Sequence, residues 1–358
     1  MTGNANRITV IGGGIVGASI AWHLTAAGCA VTLLSEKPGG IATPASFSWI
    51  NASWGNPEPY FRLRMRSIAE WRRLADDIPG LPLTWQGSLC WDLPADRLAS
   101  YRDEHSAWGY ALTPLTAAEA SAREPAIKAP PDVSLHAMME GAAEPELTAN
   151  LLIADARRRG MQHVANVRIE TLRQGEDGSI AMTAQDGSTF SAPTLVLAAG
   201  ADVPKLAADL GLIVPVETPP GLLVHSKPVG KCLNGLVIAP ELHVRQTNEG
   251  RLVAGTDFGG MDPGTDPQAA ASELFGKLKA FLKGGEALEM DFYTIGYRPT
   301  PADGFPILGR PEGAVGVYLA VTHSGVTLAP AIGLLAAREI LSGEDEPLFA
   351  PYRLSRFG

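Results

Sequence analysis

The sequence predicts a mixed α/β protein whose two domains alternate along one chain. Its length of 358 residues suits roughly two domains at ~150 residues each. The N-terminal residues have the pattern of a strand, a glycine turn, a helix and a second strand. Short apolar strands that end in glycine recur near residues 200 and 325. Such strands are typical of buried parallel sheets, so we expect distant segments to meet in one sheet.

Composition and charge exclude several classes of protein. Hydrophobic residues make up 46% of the chain and charged residues 19%, which excludes collagen-like and disordered chains. The formal net charge of −9 argues against a nucleic-acid partner. The cysteines at 29, 90 and 232 form no CxxC pair, and no His/Cys cluster has the spacing of metal ligands. We therefore expect a reducing compartment and no metal.

The apolar segments do not resemble targeting or membrane segments. The first one follows a single basic residue, Arg7, and glycines interrupt it after Ile11, unlike a signal peptide. No run of about 18 uncharged apolar residues occurs, so no transmembrane segment is expected. A cytoplasmic protein fits these observations.

The N-terminal segment predicts a βαβ unit. Residues 8–11 are apolar and mostly β-branched, as in a buried strand. Small and apolar residues at helical spacing over 15–27 end at Gly28, where a helix C′ glycine belongs. Residues 30–34 then form the second strand. The order and length of these elements are those of a nucleotide-binding βαβ unit.

The turn of this unit carries a GxGxxG pattern. Gly12 permits the tight turn, Gly14 lets the backbone approach a pyrophosphate, and Gly17 lets helix and strand pack closely. The helix N-terminus supplies N–H groups and partial positive charge for phosphates. Glu36 ends the next strand, where its carboxylate can accept hydrogen bonds from ribose hydroxyls and disfavours NADP. The sequence therefore predicts a dinucleotide site that takes NAD or FAD.

Later segments give a mixture of helices and strands. Residues 39–59 form a long irregular segment, and residues 81–146 give only weak signals. Periodicity predicts helices over 62–77, 148–160, 270–281 and 325–338, strands over 164–172, 180–183, 194–200 and 316–321, and an antiparallel meander over 212–260. Because nucleotide-type strands occur at the start, middle and end, the two domains interleave in sequence.

Four stretches carry a family resemblance: ITVIGGGIVGASIAWHLTAAGCAVTLLSEK, TLVLAAG, GYRPTPADGFPILG and HSGVTLAPAIG. With them the chain resembles the FAD-dependent D-amino-acid oxidase family, which includes glycine oxidase, sarcosine oxidase and D-amino-acid dehydrogenase. The resemblance implies a Rossmann-like FAD-binding domain interleaved with a substrate domain built on a large mixed β-sheet. It places the FAD-binding domain at 1–80, 147–218 and 300–358 and the substrate-binding domain at 81–146 and 219–299.

The resemblance also implies which residues hold the cofactor. The irregular loop after Glu36 would face the isoalloxazine ring, and the helix N-terminus at Gly325 would meet the flavin pyrimidine, where its dipole stabilises negative charge. The backbone of Val167 would hold the adenine end. The implied FAD-binding residues are Gly12, Gly14, Ile15, Val16, Gly17, Glu36, Lys37, Ser46, Phe47, Ser48, Val167, Ala199, Gly200, Arg298, Gly325, Val326 and Thr327.

Three residues are the implied catalytic candidates. Arg298 stands where the family places the arginine that binds the substrate carboxylate as a bidentate pair; the alternative is a structural arginine paired with Asp303. Tyr297 precedes it and is a candidate substrate contact. His323 is a candidate for proton movement near the flavin, with a purely structural role as the alternative. Sarcosine oxidases attach FAD through a cysteine near the Arg298 segment; this chain has Gly296 there, so we expect noncovalent FAD.

The implied reaction is oxidation of the C–N bond of a small amino or imino acid: a D-amino acid, glycine or an N-alkyl amino acid. The α-carbon passes a hydride to flavin N5, and water hydrolyses the imine to an oxo acid. O2 or another electron acceptor reoxidises the flavin. Two alternatives stay open. One is a flavin-dependent 2-hydroxy-acid oxidase or dehydrogenase with His323 as base, and the other is an FAD-binding subunit of a hetero-oligomeric dehydrogenase. Homo- and hetero-oligomers both fit the resemblance.

Overall fold

The computed structural model describes residues 7–53, 55–256 and 262–358, and eight α-helices lie in this part of the chain. They are α1 (Ile15–Ala26), α2 (Glu58–Asp77), α3 (Ala95–Ala107), α4 (Ala117–Arg123), α5 (Pro145–Arg158), α6 (Val203–Ala208), α7 (Pro267–Phe281) and α8 (Gly325–Ser342). Short 3₁₀ turns cover Gly200–Asp202, Gly285–Ala287, Pro347–Tyr352 and Leu354–Phe357.

The strands are short and numerous. In chain order they are β1 (Arg7–Ile11), β2 (Ala30–Ser35), β3 (Trp49–Ile50), β4 (Leu83–Thr84), β5 (Ser88–Cys90), β6 (Leu112–Thr116), β7 (Val133–Ala137), β8 (Gly141–Ala143), β9 (Gln162–Ala165), β10 (Ile169–Gln174), β11 (Ile180–Ala184), β12 (Thr189–Ala192), β13 (Thr194–Leu197), β14 (Val216–Glu217), β15 (Pro220–Ser226), β16 (Leu236–Ile238), β17 (His243–Gln246), β18 (Leu252–Gly255), β19 (Met290–Tyr297), β20 (Thr300–Pro301), β21 (Ile307–Gly309) and β22 (Val317–Val321).

A six-stranded sheet gathers the strands that the sequence places at the start, middle and end of the chain. Its order is β21-β22-β13-β1-β2-β9, and all pairs are parallel except β21 with β22. Ile8 to Ile11 of β1 pair with Thr194 to Leu197 of β13 on one side and with β2 on the other. Helices α1, α2, α5 and α8 pack together over one face, and their apolar side chains fill the largest core. The expected mixed α/β fold class is confirmed.

The second large sheet has eight strands in the order β19-β15-β18-β17-β16-β5-β7-β6. Only β5 and β16 pair in parallel, and all other neighbours are antiparallel. Helix α7 packs on β15 and β18, and a separate apolar core lies there. The sheet mixes strands from two distant parts of the chain, before residue 138 and after residue 219. The exact domain boundaries stay a prediction.

Several predicted elements need correction. The single strand expected over 164–172 is two strands, because Asn166 adopts a left-handed φ of 61° and turns the chain out of the six-stranded sheet. Helix α5 begins at Pro145, three residues before the expected start, because proline is well suited to the first helical turn. Helix α7 likewise begins at Pro267, after an Asp266 cap that accepts from the Ala269 N–H at 3.0 Å.

One helix in the described ranges, α8, is long and apolar enough to cross a membrane by length and composition alone. It is a core helix, since 67% of its residues are buried and it packs against α1 and α2.

Candidate active site

The glycine turn after β1 fits the close packing that its pattern predicts. A Cβ atom on Gly12, whose φ is 118°, would lie 2.2 Å from the Ala198 carbonyl oxygen, and one on Gly17 would lie 2.0 Å from the Gly12 carbonyl oxygen. Ordinary Cβ contacts are longer than about 3.4 Å. Only glycine at both positions lets α1 begin directly against the carboxyl ends of β1 and β13.

The loop after β2 folds back over the N-terminus of α1. The Ile15 N–H donates to Thr43 Oγ1 at 3.1 Å, so a hydroxyl from this loop caps the helix. Gly40 permits the approach, because a Cβ there would lie 2.6 Å from Gly14 Cα. Sequence reasoning missed Thr43. A cap normally directly precedes its helix, whereas this one follows it, so no local pattern signals it.

One continuous cavity of about 390 Å³ runs from this turn to α8. It collects residues from the loops at the carboxyl ends of the parallel strands, where α/β proteins usually bind ligands. Most of the expected site residues line it: Gly12, Gly14, Ile15, Val16, Glu36, Lys37, Ser46, Val167, Ala199, Gly200, Tyr297, Arg298, His323, Gly325 and Val326.

Four expected site residues are not among those that line the cavity. Gly17 lies beneath the glycine turn, and Thr327 is buried, where its Oγ1 donates to the Trp49 carbonyl at 2.9 Å. The carbonyl of Phe47 accepts from Arg245 Nε at 2.6 Å. Ser48 is buried with a left-handed φ of 68°, and its Oγ has no hydrogen-bond partner among the described residues. Left-handed backbone at a non-glycine residue and a buried hydroxyl without a partner are features that cluster at functional sites.

Opposite charges flank one end of the cavity. Arg168 lies between two carboxylates, 3.7 Å from Glu36 and 3.4 Å from Asp202, and all three side chains are partly exposed. Sequence reasoning found Glu36 but missed Arg168 and Asp202. The buried backbone of Val167, whose N–H donates to the Ser35 carbonyl at 3.0 Å, lies next to them. This end offers a carboxylate for sugar hydroxyls, and the Val167 N–H is already used within the chain.

Arg298 marks the other end. It follows β19, and its backbone N–H donates to the Pro219 carbonyl at 3.3 Å. Gly221 makes room for its guanidinium, since a Cβ there would lie 3.0 Å from Arg298 Nη2. Asp303, the partner of Arg298 in the structural alternative, binds Arg356 through both carboxylate oxygens at 2.7 and 2.9 Å. Tyr297 is 55% exposed at the cavity rim.

His323 lies between these ends and α8. Its Nε2 is 2.8 Å from the Gly304 carbonyl and its Nδ1 is 3.2 Å from Ser324 Oγ. Burial, and secondarily the positive charge of Arg64, lowers the pKa of His323 to about 4. The imidazole is therefore neutral near pH 7. A carbonyl can only accept, so the proton resides on Nε2 and both ring nitrogens are engaged.

The residues of the cavity fit FAD. Two helix N-termini, those of α1 and α8, open into it and supply N–H groups for phosphate oxygens and for acceptor atoms of a flavin. A Cβ on Gly325 would lie 3.3 Å from Val16 Cγ2, so glycine keeps this narrow passage open. Glu36 at one end and Arg298 at the other give a polar group at each extreme of an elongated, mostly apolar space. No cysteine occurs among the described residues that line it.

Comparisons with known proteins show what the whole chain is similar to. A sequence model of the FAD dependent oxidoreductase (DAO) family matches residues 7–339. One subunit of the opine oxidase of Rhizobium meliloti is 26% identical over 372 residues, which is 98% of this chain and 97% of that protein. Glycine oxidase of Bacillus licheniformis is 27% identical over 352 residues, with coverage of 93% and 92%.

The fold has a solved counterpart. The crystal structure of glycine oxidase from Geobacillus kaustophilus superposes with a TM-score of 0.89 at 23% sequence identity, covering 98% of this chain and 99% of that one. At this identity the similarity establishes the shared fold.

Proposed function

This chain belongs to the FAD dependent oxidoreductase (DAO) family, and from that premise we propose that it oxidises the C–N bond of a small amino or imino acid. The family and its glycine oxidase relatives confirm FAD as the cofactor and the expected class of oxidoreductase. By their names, the two relatives oxidise opines and glycine. We propose that the electron donor of this chain is likewise a compound of the amino-acid type.

The observation that carries the proposal is the position of Arg298. Its guanidinium borders the same cavity as the glycine turn and the N-terminus of α8. A guanidinium holds a carboxylate through two parallel charge-assisted hydrogen bonds, which fixes the orientation of the α-carbon. With a net charge of −9, the protein does not attract an acid through its overall field, so a local arginine must do so.

Each chain residue has a distinct task in this scheme. FAD, when bound, supplies the acceptor for the hydrogen and two electrons that leave the α-carbon. Arg298 binds the carboxylate, and Tyr297 at the cavity rim is the candidate substrate contact. The substrate amine reacts in its neutral form, and its lone pair drives the oxidation without a protein base. The engaged, neutral His323 suits a scheme that needs none.

The two hydrogen bonds of the His323 ring weigh against a 2-hydroxy acid as the substrate. Oxidation of an alcohol calls for a group that removes the hydroxyl proton, and His323 is the candidate that the sequence offers. Its Nε2 donates to Gly304 and its Nδ1 accepts from Ser324, so neither nitrogen is open to a substrate. The hydroxy-acid alternative would require this arrangement to break.

A second candidate function is that of an FAD-binding subunit in a larger assembly. Its support is the name of one relative, which is a subunit of an opine oxidase and matches along nearly its whole length. In that case the C–N oxidation would be the same, and the electrons would leave through a partner chain. A cytoplasmic location and noncovalent binding of FAD also remain predictions.

The test is an anaerobic reduction screen of the purified FAD protein over amino, imino and hydroxy acids. We expect amino or imino acids to bleach the visible flavin absorbance in single-turnover experiments, and hydroxy acids to leave it unchanged. Reoxidation is then compared with O2 and with a dye. Bleaching by hydroxy acids alone would overturn the proposal, and reoxidation by the dye but not by O2 would favour the subunit function.

A further inference from the structure

Arg64 is a buried cation whose partners are uncharged. It lies on α2, is 5% exposed, and donates from Nη1 to the carbonyl of Asn51 at 3.1 Å and to its Oδ1 at 2.7 Å. Its Nη2 donates to Ser324 Oγ at 2.6 Å, and its guanidinium carbon lies 4.8 Å from the centre of the Tyr60 ring. Within the described residues it makes no ion pair, and its Nε has no hydrogen-bond partner.

A buried charge of this kind is unfavourable unless an anion compensates it. Neighbouring arginines on the same helix are different: Arg62 pairs with Glu58 at 2.7 Å and Arg66 with Glu70 at 2.8 Å, and both are partly exposed. Arg64 is thus the buried arginine of the three, and it is the one without a carboxylate partner among the described residues. Its contact with Ser324 directs it towards the N-terminus of α8, which opens into the FAD cavity.

Ser324 is itself unusual. It occupies the N-cap position of α8, and serine is among the best capping residues, yet its side chain makes no capping hydrogen bond. Its hydroxyl is instead held between Arg64 Nη2 and His323 Nδ1. Because Arg64 can only donate, the Ser324 hydroxyl proton is left for His323, whose other nitrogen donates to Gly304. The result is a directional chain of hydrogen bonds, Arg64 to Ser324 to His323 to Gly304.

We propose that Arg64 is a positioning residue for the flavin end of the site: it draws the Ser324 hydroxyl away from its capping position and adds its own buried positive charge there. Without Arg64, the hydroxyl would turn to the first-turn N–H groups of α8 and compete with the cofactor for them. With Arg64, those N–H groups stay open to acceptor atoms of FAD. The guanidinium charge adds to the positive end of the α8 dipole and favours negative charge on the reduced cofactor.

This inference rests on the proposed FAD chemistry of the cavity, and its experiment needs no substrate. Two quantities are measured: the Kd of FAD for the apoprotein by fluorescence titration, and the two-electron midpoint potential of bound FAD against a reference dye. A protein that binds FAD yet oxidises no amino acid would defeat the proposed function and leave this test intact.

Arg64→Met should weaken FAD binding about tenfold, because a charge-assisted arrangement is lost. It should also lower the equilibrium constant for two-electron reduction about tenfold, which corresponds to a fall of about 30 mV. Arg64→Lys keeps the charge and should recover most of the potential. Arg62→Met, on the exposed face of the same helix, is the matched control and should change neither quantity.

Ser324→Ala separates the two roles. Alone it keeps the N–H groups open and the charge in place, so both quantities should stay within about twofold of the wild type. When Ser324→Ala is combined with Arg64→Met, the Kd of FAD should return towards the value of Ser324→Ala alone. The midpoint potential should stay as low as in Arg64→Met.

A wild-type Kd and potential in a folded Arg64→Met protein would overturn the proposal. So would a double variant that binds FAD as weakly as Arg64→Met alone, because the hydroxyl would then play no part. If Arg64→Met does not fold, Arg64→Lys decides. A tenfold fall in the equilibrium constant for two-electron reduction, despite the retained charge, would overturn the proposal. A midpoint potential near the wild-type value would support the proposal.

Discussion

Lowering the pH should destabilise the apoprotein through His323. The pKa of its imidazole is about 4 in the folded chain, first because of burial and then because of the nearby Arg64, against an ordinary value of 6.5. Below pH 6.5 the unfolded chain therefore binds a proton that the folded chain does not. The stability that His323 contributes is complete above pH 6.5 and is lost as the pH falls towards 4.

The size of the effect follows from these two pKa values. At pH 5 the histidine of the unfolded chain is almost fully protonated, whereas about a tenth of His323 is protonated in the folded chain. The linkage relation gives a loss of about 2 kcal/mol between pH 7 and pH 5, and about 3 kcal/mol when the pH reaches 4. His225, whose pKa burial also lowers to about 4, should contribute a similar loss.

The assay is urea unfolding of the apoprotein at pH 7, 6 and 5, for the wild type and for His323→Gln. The glutamine amide can still donate to Gly304 but does not titrate, so the pH-dependent loss should shrink by about 2 kcal/mol. His225→Gln is a matched variant on the other large sheet. It should remove a second, additive part of the pH-dependent loss in the free energy of unfolding. An unchanged pH dependence in His323→Gln would refute the reasoning, since it would mean that the folded imidazole protonates freely.

Three further substitutions test the site and its frame. Arg298→Ala should raise the substrate KM about 10- to 100-fold, the worth of a charge-assisted pair, and leave the FAD spectrum intact in steady-state and absorbance measurements. Gly17→Ala should abolish FAD retention on gel filtration, because its Cβ would lie 2.0 Å from the Gly12 carbonyl oxygen. Arg353→Met should lower the free energy of unfolding by about 3–5 kcal/mol in urea, because it strands the buried carboxylate of Glu339.

Each of these has its own contrary outcome. Loss of FAD with an unchanged KM in Arg298→Ala would move that residue from the substrate to the cofactor. Gly276→Ala, at an open position of α7, is the control for the glycine substitution and should stabilise the protein by up to about 1 kcal/mol. Full FAD occupancy in Gly17→Ala would contradict the close packing of α1. Wild-type stability in Arg353→Met would show that Glu339 accepts a proton at little cost.

The parts of the site that the sequence predicts are those whose reasons are local. The roles of Gly12 and Gly17 depend on a turn of a few residues, and the strand and helix around them have strong periodicity. The resemblance extends the prediction to Arg298, His323 and Gly325, and all three line the same cavity. Whether each contacts the cofactor or substrate stays a prediction.

The parts that sequence reasoning missed have non-local reasons. Thr43 caps a helix that begins 28 residues earlier, and Arg64 contacts a serine 260 residues away. Neither spacing produces a pattern along the chain. The segment 81–146 carries weak signals because its strands are only two to five residues long. One of these strands, β5, pairs with a neighbour that the chain supplies more than a hundred residues later, as in the pairing of Ser88 with Leu236.

The interleaved six-stranded sheet has a consequence for how the protein is made. Strand β1 pairs with β13, which is synthesised nearly two hundred residues later, and β13 in turn pairs with β22 close to the end. Such long-range pairings slow folding, because the loops between them must close before the contacts form. During synthesis the N-terminal βαβ unit therefore leaves the ribosome with one edge of β1 uncovered. The cofactor site is complete only when residues near 325 have emerged from the ribosome. FAD can therefore bind and stabilise the finished chain, but it cannot assist the folding of the N-terminal segment during synthesis.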